Sequence, residues 1–357
     1  MNVYEEMIPY LLHWYKHNAR VLPWREDPSA YHVWVSEIML QQTRVEAVRG
    51  YYLRFLDALP DVKALAECPD DRLMKLWEGL GYYSRARNLK KAAEVICKEH
   101  GGELPCDVTE LRKLSGIGDY TAGAIASIAF KKPEPAVDGN LLRVLSRISG
   151  SRENIDLPEV RKRMAAELRK VMPGEESGEL NQAIMDIGAT VCIPNGAPHC
   201  EDCPLMHICK AYREDTVSEI PVREAKKARR IEKRTVFLIT AGEKILLHKR
   251  PASGLLAGMY EYPNVPGHTA KKDVKDTVMA FAGEVAWKIA SVTKEKSAKH
   301  IFSHIEWHMN AWSVQLGADN AGVIPDGCVW ATAEELRTKY SLPSAFGKWV
   351  GFPKGTD

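Results

Sequence analysis

The chain has 357 residues, of which 45% are hydrophobic and 27% charged, with 49 Lys and Arg against 47 Asp and Glu for a net charge of +2. This is ordinary globular composition at a length that divides into two hydrophobic cores, and no stretch approaches the roughly 20 apolar residues that a membrane span needs. Total charge gives no argument for nucleic acid, because phosphate binding depends on local patches; Glu5 and Glu6 stand where a signal peptide carries basic residues, so a cytoplasmic protein without membrane association is expected.

From Met1 to about Tyr212, apolar residues recur at helical spacing, as in Leu73, Leu76, Trp77 and Leu80. They predict an almost wholly helical domain over residues 1–215. Early in it, Glu37 lies in Trp34-Val35-Ser36-Glu37-Ile38-Met39-Leu40, an apolar setting in which desolvation keeps a carboxyl protonated near neutrality. Further on, Leu111-x-x-Leu114-x-Gly116-Ile117-Gly118 runs into Tyr120-Thr121-Ala122-Gly123-Ala124-Ile125. That pattern predicts a helix-hairpin-helix, whose turn glycines, Gly116 and Gly118, allow φ > 0 and let backbone N–H groups approach a phosphate. Asp138, in Val137-Asp138-Gly139-Asn140, precedes the next helix. Taken alone, Glu37 reads as a surface glutamate and Asp138 as an N-cap.

Four of the eight cysteines, Cys192, Cys200, Cys203 and Cys209, fall in one short loop with uneven gaps. Zinc sites more often use two well-separated pairs, so the run favours a 4Fe-4S cluster. Cys68, Cys97, Cys106 and Cys328 scatter and read as unrelated thiols. Residues 216–234 read as a basic linker, since Pro221 to Arg234 holds seven Lys or Arg against two Glu with little to bury. A phosphate contact is its secondary reading. From Thr235, short runs such as Val236 to Thr240 and Lys244 to His248 predict an α+β domain over residues 235–357. Ile305, Trp307, Met309 and Ala311 there alternate with Glu306, His308, Asn310 and Trp312 as in a strand.

Leu22-Pro23-Trp24-Arg25, Ser36-Glu37-Ile38-Met39-Leu40-Gln41-Gln42-Thr43, Trp77-Glu78-Gly79-Leu80-Gly81-Tyr82-Tyr83, the hairpin, Val137-Asp138-Gly139-Asn140 and the four cysteines carry a resemblance over nearly the whole chain. The sequence resembles MutY-type adenine DNA glycosylases of the endonuclease III superfamily. The resemblance implies a multidomain fold: an all-α helix-hairpin-helix glycosylase domain with an iron–sulfur cluster loop, then a C-terminal α+β domain that looks like a Nudix (MutT) fold. It implies that Glu37 protonates a flipped adenine and Asp138 stabilises or traps the sugar cation. Tyr120 and Asn140 would orient the chemistry; Trp24, Arg25 and Gln182 would line the adenine pocket. Gln42 and Tyr82 would fill the vacated stack, Leu80 and Thr43 would touch the lesion, and Phe302-Ser303-His304 would read 8-oxoguanine. The implied partner is double-stranded DNA with an A:8-oxoguanine or A:G mispair, bound by a monomer.

Two positions depart from relatives. Bifunctional members carry a Lys where this chain has Tyr120, so strand cleavage through a Schiff base is not expected. The family usually has six residues between its first two cysteine ligands and this chain has seven, so residues 193–199 must bulge. The acidic Nudix box has no match between Thr235 and Asp357, which speaks against pyrophosphatase activity. Another helix-hairpin-helix mismatch glycosylase, such as a thymine mismatch enzyme, and a non-catalytic DNA-binding module remain as alternatives.

Overall fold

A computed structural model describes residues 2–225, 228–317 and 324–349. The chain divides into two compact units, one formed by Met1–Glu67 with Asn88–Lys226 and the other by Cys68–Arg87 with Lys227–Asp357.

The first unit is helical. Helices Val3–Asn18, Gly139–Ser149 and Ser177–Thr190 bury stripes at helical spacing: Met7 with Leu11, Leu141 with Leu145 and Ile148, and Leu180 with Ile184 and Ile187. Such stripes hold amphipathic helices on a shared core. Helix Ala30–Leu40 is different, because every residue from Val33 to Met39 is buried. A helix that is apolar all round belongs inside a core. Glu37 therefore sits on an element with no wet face at that level. Asp119–Ile128, the second helix of the predicted hairpin, is buried from Thr121 to Ile128 and completes this interior.

Among the described residues the second unit holds a seven-stranded sheet: β1 (Arg230–Ala241), β2 (Lys244–Lys249), β3 (Tyr260–Glu261), β4 (Asn264–Pro266), β5 (Ile289–Ile301), β6 (Ile305–Leu316) and β7 (Cys328–Ala331). The main order is β3-β2-β1-β6-β5, with β4 on β1 and β7 on β2. β1 and β6 are parallel from Arg230 opposite Ile305 to Ala241 opposite Leu316, and the other pairs are antiparallel. Val236, Leu238, Trp307 and Met309 face one apolar cluster; Phe237, Ile239, Trp312 and Val314 face another. Burial on both faces explains the unbroken apolar run of β1. Helix Val274–Ala282 covers the second face through Val274, Val278 and Ala282, and this cover buries Trp312.

The sequence-based linker ends too late. Residues 230–234, assigned to it by their charge, form the start of β1 and pair with residues 305–309. Their charges are accommodated because Glu232 accepts a hydrogen bond from Trp307 Nε1 at 3.0 Å and Arg234 lies over the Trp307 ring at 4.6 Å. Among the described residues no helix is long and apolar enough to cross a membrane.

Candidate active site

Glu37 is 5% exposed. Burial pushes its carboxyl up to about 7, a hydrogen bond from Tyr120 pulls it down, and the nearby Asp138 charge raises it further. Tyr120, in the first turn of Asp119–Ile128, donates its hydroxyl to Glu37 Oε2. Asp138 caps helix Gly139–Ser149: Oδ1 accepts the Leu141 N–H at 2.7 Å and Oδ2 accepts from Asn140 Nδ2 at 2.7 Å. Burial raises the Asp138 pKa too, against the lowering effects of Leu141, Asn140 and Arg143. The two carboxyls thus differ in their donors. Asp138 has two hydrogen-bond donors and a helix N-terminus favouring its anion, whereas Glu37 has one, so a single shared proton resides on Glu37.

These groups line a cavity of about 240 Å³ together with Trp24, Arg25, Thr43, Asn140 and Gln182. It adjoins a groove of about 880 Å³ that shares Glu37, Tyr120 and Asp138, takes in Gln42 and Gly118, and carries Arg112, Arg161, Lys162 and Arg169. A buried acid beside a basic groove places proton chemistry next to a surface for a polyanion.

Residues not singled out by sequence also line the cavity, Arg20, Met185 and Ala189 among them. Asp186, also unforeseen, is fully buried at its side chain and accepts Arg25 Nη1 and Nη2 at 2.7 and 2.9 Å and Arg20 Nε at 2.6 Å. Burial works to raise Asp186, yet the two guanidiniums hold it below its ordinary value. Helical spacing from Gln182 carried the available signal, since Met185, Asp186 and Ala189 follow at i+3, i+4 and i+7.

The hairpin glycines play different parts. Gly116 has φ +80°, as expected, but Gly118 is extended at φ −93° and serves as the N-cap of Asp119–Ile128. Gly188 provides close approach: a Cβ there would lie 2.6 Å from Asn140 Cβ. Gln42 has φ +58°, an uncommon conformation for a residue with a side chain.

In the second unit, Tyr82 (φ +48°, 44% exposed) and Phe302, Ser303 and His304 line one cavity of about 260 Å³. Phe302 packs edge-on against Trp307, while Ser303 Oγ is exposed, 3.2 Å from His304 Nδ1. Leu80, expected to touch a lesion, is 5% exposed in the free protein, and Arg85 Nη2 donates to its carbonyl at 3.2 Å. Thr43, given the same role, lies in the wall of the Glu37 cavity.

Cys192, Cys200, Cys203 and Cys209 line a single apolar pocket with Val144, Ile148, Ile187 and Leu205. Burial pushes Cys203 up to about 12 and raises Cys200 and Cys209, and proximity to one another adds to this. Among the described residues no group of three or more His, Cys, Asp or Glu is arranged to hold a single metal ion. The seven-residue gap forms a loop with Gly196 at φ +79°, closed where His199 N–H donates to Val191 O at 3.0 Å. Arg147 Nη1 lies 3.1 Å from Cys192 Sγ, a cation beside the thiols.

A family model described as HhH-GPD superfamily base excision DNA repair protein matches residues 35–171, and a NUDIX domain model matches residues 235–350. The class is thus a helix-hairpin-helix base-excision repair glycosylase followed by a Nudix-like domain. A solved thermostable thymine-DNA glycosylase is 26% identical with a TM-score of 0.55, covering 59% of this chain and 97% of its own. An endonuclease III structure in a non-covalent DNA complex is 25% identical with a TM-score of 0.51, over 59% of this chain and 97% of its own. Curated adenine DNA glycosylases of Mus musculus and Buchnera aphidicola subsp. Baizongia pistaciae are each 33% identical, over 91% and 84% of this chain and 74% and 83% of their own lengths. The chain belongs to the adenine DNA glycosylase family.

The raised Glu37 pKa has a consequence for stability. A carboxyl whose folded pKa lies above its unfolded value of 4.5 stabilises the fold only while protonated, and this contribution is lost as pH rises through about 7. Glu37→Gln removes that dependence. The stability of the variant relative to wild type should rise by about 2.5 kcal/mol between pH 5 and pH 8, measured by denaturant unfolding; a difference independent of pH would mean that Glu37 is ionised throughout.

Proposed function

We propose that this adenine DNA glycosylase removes adenine paired with 8-oxoguanine, or with guanine, from duplex DNA by flipping the base and hydrolysing its N-glycosidic bond without cutting the strand. The observation that carries the reading is the buried Glu37 carboxyl, raised to about 7 and facing the hydrogen-bonded Asp138 across one cavity.

Adenine leaves poorly as an anion, so its departure needs a proton on the base while positive charge develops on the sugar. Neutral Glu37 donates to N7 of the flipped base, assisted by Tyr120, which fixes the carboxyl orientation. The bond electrons go to the protonated base, which leaves as neutral adenine. Asp138, held anionic by Leu141 N–H and Asn140, stabilises the oxocarbenium ion or traps it until water adds at C1′. Trp24 and Gln182 provide a face and an amide for the base, and the Arg25–Asp186 pair holds the cavity wall. Tyr120 offers no amine, so no Schiff base forms on the sugar. Gly116 and Gly118 approach the phosphate backbone, and Gln42 and Tyr82 fill the vacated stack.

In the second unit Ser303 reads the lesion. 8-oxoguanine carries a hydrogen at N7 and an oxygen at C8 where guanine has only an acceptor at N7, and the exposed hydroxyl accepts from the former. A 4Fe-4S cluster held by Cys192, Cys200, Cys203 and Cys209 is part of the same reading. Four thiols line one apolar pocket, and as thiolates they would be the four-cysteine donor set of such a cluster. When bound, the cluster fastens the loop beside Arg143 and Arg147.

Adenine release from labelled duplexes tests the chemistry. Glu37→Gln should keep mispair binding and lose on the order of 10²–10⁴-fold in excision rate or more; wild-type rates in the variant would refute the role. Ser303→Ala should weaken binding to A:8-oxoguanine by about 1–3 kcal/mol and spare A:G, whereas equal loss on both would assign the turn to general DNA affinity. The purified protein should be yellow-brown and contain iron, and Cys203→Ser should impair folding or DNA binding first. A colourless, fully active zinc protein would exclude the cluster.

A further inference from the structure

Residues 68–87 lie within the sequence matched by the base-excision family model, yet they pack with the second unit. Charged side chains bind them there, beginning with Asp71, which accepts from Lys249 Nζ at 2.9 Å. Lys75 Nζ donates to the carbonyls of Leu336 at 2.8 Å and Tyr340 at 3.3 Å, around the C-terminal end of helix Ala333–Thr338, where backbone acceptors lack helical partners. The same ammonium meets Glu78 Oε2 at 2.6 Å. Glu78 Oε1 accepts the Leu342 N–H at 2.6 Å, and Arg87 Nη1 donates to Ala257 O at 2.7 Å.

From Glu78 the chain runs stiffly to Tyr82. Gly79, Gly81 and Tyr82 have φ of +97°, +71° and +48°, so the turn is tight and defined. Trp77 Nε1 donates to Gly81 O at 3.2 Å, and the buried Arg85 donates to Leu80 O at 3.2 Å and Gly81 O at 3.0 Å. The Arg85 guanidinium lies 5.4 Å from the Trp77 ring and 5.6 Å from the Tyr82 ring, backing the exposed tyrosine. On the other side of the clamp, Leu342 leads into Pro343, Ser344 and Ala345, which line the cavity shared by Tyr82 and the Phe302-Ser303-His304 turn. Two stretches of that cavity's wall, residues 81–84 and 343–345, therefore flank the Glu78–Leu342 contact and face the turn at Ser303.

We infer that Lys75 and Glu78 are positioning residues that set the spacing between Tyr82 and Ser303, and so determine the preference for 8-oxoguanine over guanine opposite adenine. The inference rests on the lesion-reading role given to Ser303 above. Lys75 and Glu78 do not line the cavity; they act through the turn. Removing Glu78 takes one acceptor from Lys75 and one from the Leu342 N–H, and the wall relaxes.

The test is single-turnover adenine release from A:8-oxoguanine and A:G duplexes by Glu78→Ala, Glu78→Gln, Ser303→Ala and the double variant Glu78→Ala with Ser303→Ala. Glu78→Ala should lower the ratio of the two rates by on the order of tenfold, since misplacement by about 1 Å costs up to about 10²-fold, with a smaller fall in the A:G rate because Tyr82 fills the stack on that substrate too. Glu78→Gln keeps an oxygen for the Leu342 N–H and should retain most of the ratio. The double variant should lose little more than Ser303→Ala alone, because both changes act on one spacing. An unchanged ratio in Glu78→Ala, an equal fall on both substrates, or fully multiplicative losses in the double variant would overturn the inference. If Glu78→Ala does not fold, Lys75→Met gives the same readout. If Ser303→Ala keeps the full ratio, the turn is not the reader and the inference falls with it; if Ser303→Ala lowers the ratio while Glu78→Ala keeps it, only the clamp fails.

Discussion

Two carboxyls, the buried Glu37 and the half-buried Asp138, line one cavity, and the cost of placing them together governs how the site in the helical unit is built. Ionising both side by side is unfavourable, so the pair is stable only if one holds a proton and the other is well supplied with donors. The backbone decides which is which. A helix with no wet face carries Glu37, and a helix N-terminus with the Leu141 N–H carries Asp138. Tyr120 reaches Glu37 because the hairpin turns at Gly116, and Asn140 fits over Asp138 because Gly188 has no side chain to displace it.

The support extends outward through buried cations. Arg143 donates to Asn140 Oδ1 at 2.8 Å, Gly188 O at 2.6 Å and Cys192 O at 2.8 Å, so the Asp138 helix is tied to the start of the cysteine loop. Arg147, one turn further, reaches Ile193 O and Ile220 O. Guanidinium suits this role, since its planar fork satisfies several carbonyls from one buried site. The cysteine loop is thereby part of the frame that holds Asp138 in place. The second unit is organised around a sheet that is apolar on both faces. That sheet presents a short exposed turn after β5, and the unit grips the Tyr82 segment.

What sequence made visible were the elements with strong local signals. The glycine-punctuated hairpin, the cysteine run, the apolar frame of Glu37 and the alternation at Ile305 to Ala311 each follow from a short-range pattern. Trp24, Arg25 and Gln182 came only through family resemblance, because nothing local marks them as neighbours of Glu37. Asp186 and Arg20 were hidden for the same reason: their pairing spans 166 residues and depends on tertiary packing. The start of β1 was misjudged because a run of Arg, Lys and Glu reads as solvated, whereas the register with β6 gives Glu232 and Arg234 a tryptophan to contact. The contact of Leu80 with a lesion is implied by resemblance alone, since nothing local marks it, and it lies buried between the positive φ angles of Gly79 and Gly81.

Infrared difference spectroscopy of the free protein across pH tests the carboxyl assignment most directly, because only a protonated carboxyl gives the acid carbonyl stretch. A band that is present at pH 6, titrates away with a midpoint of about 7 and is missing in Glu37→Gln is the predicted result. If that band is absent at pH 6, or persists in Glu37→Gln and disappears instead in Asp138→Asn, the proton is not on Glu37 and the division of roles between the two carboxyls is wrong.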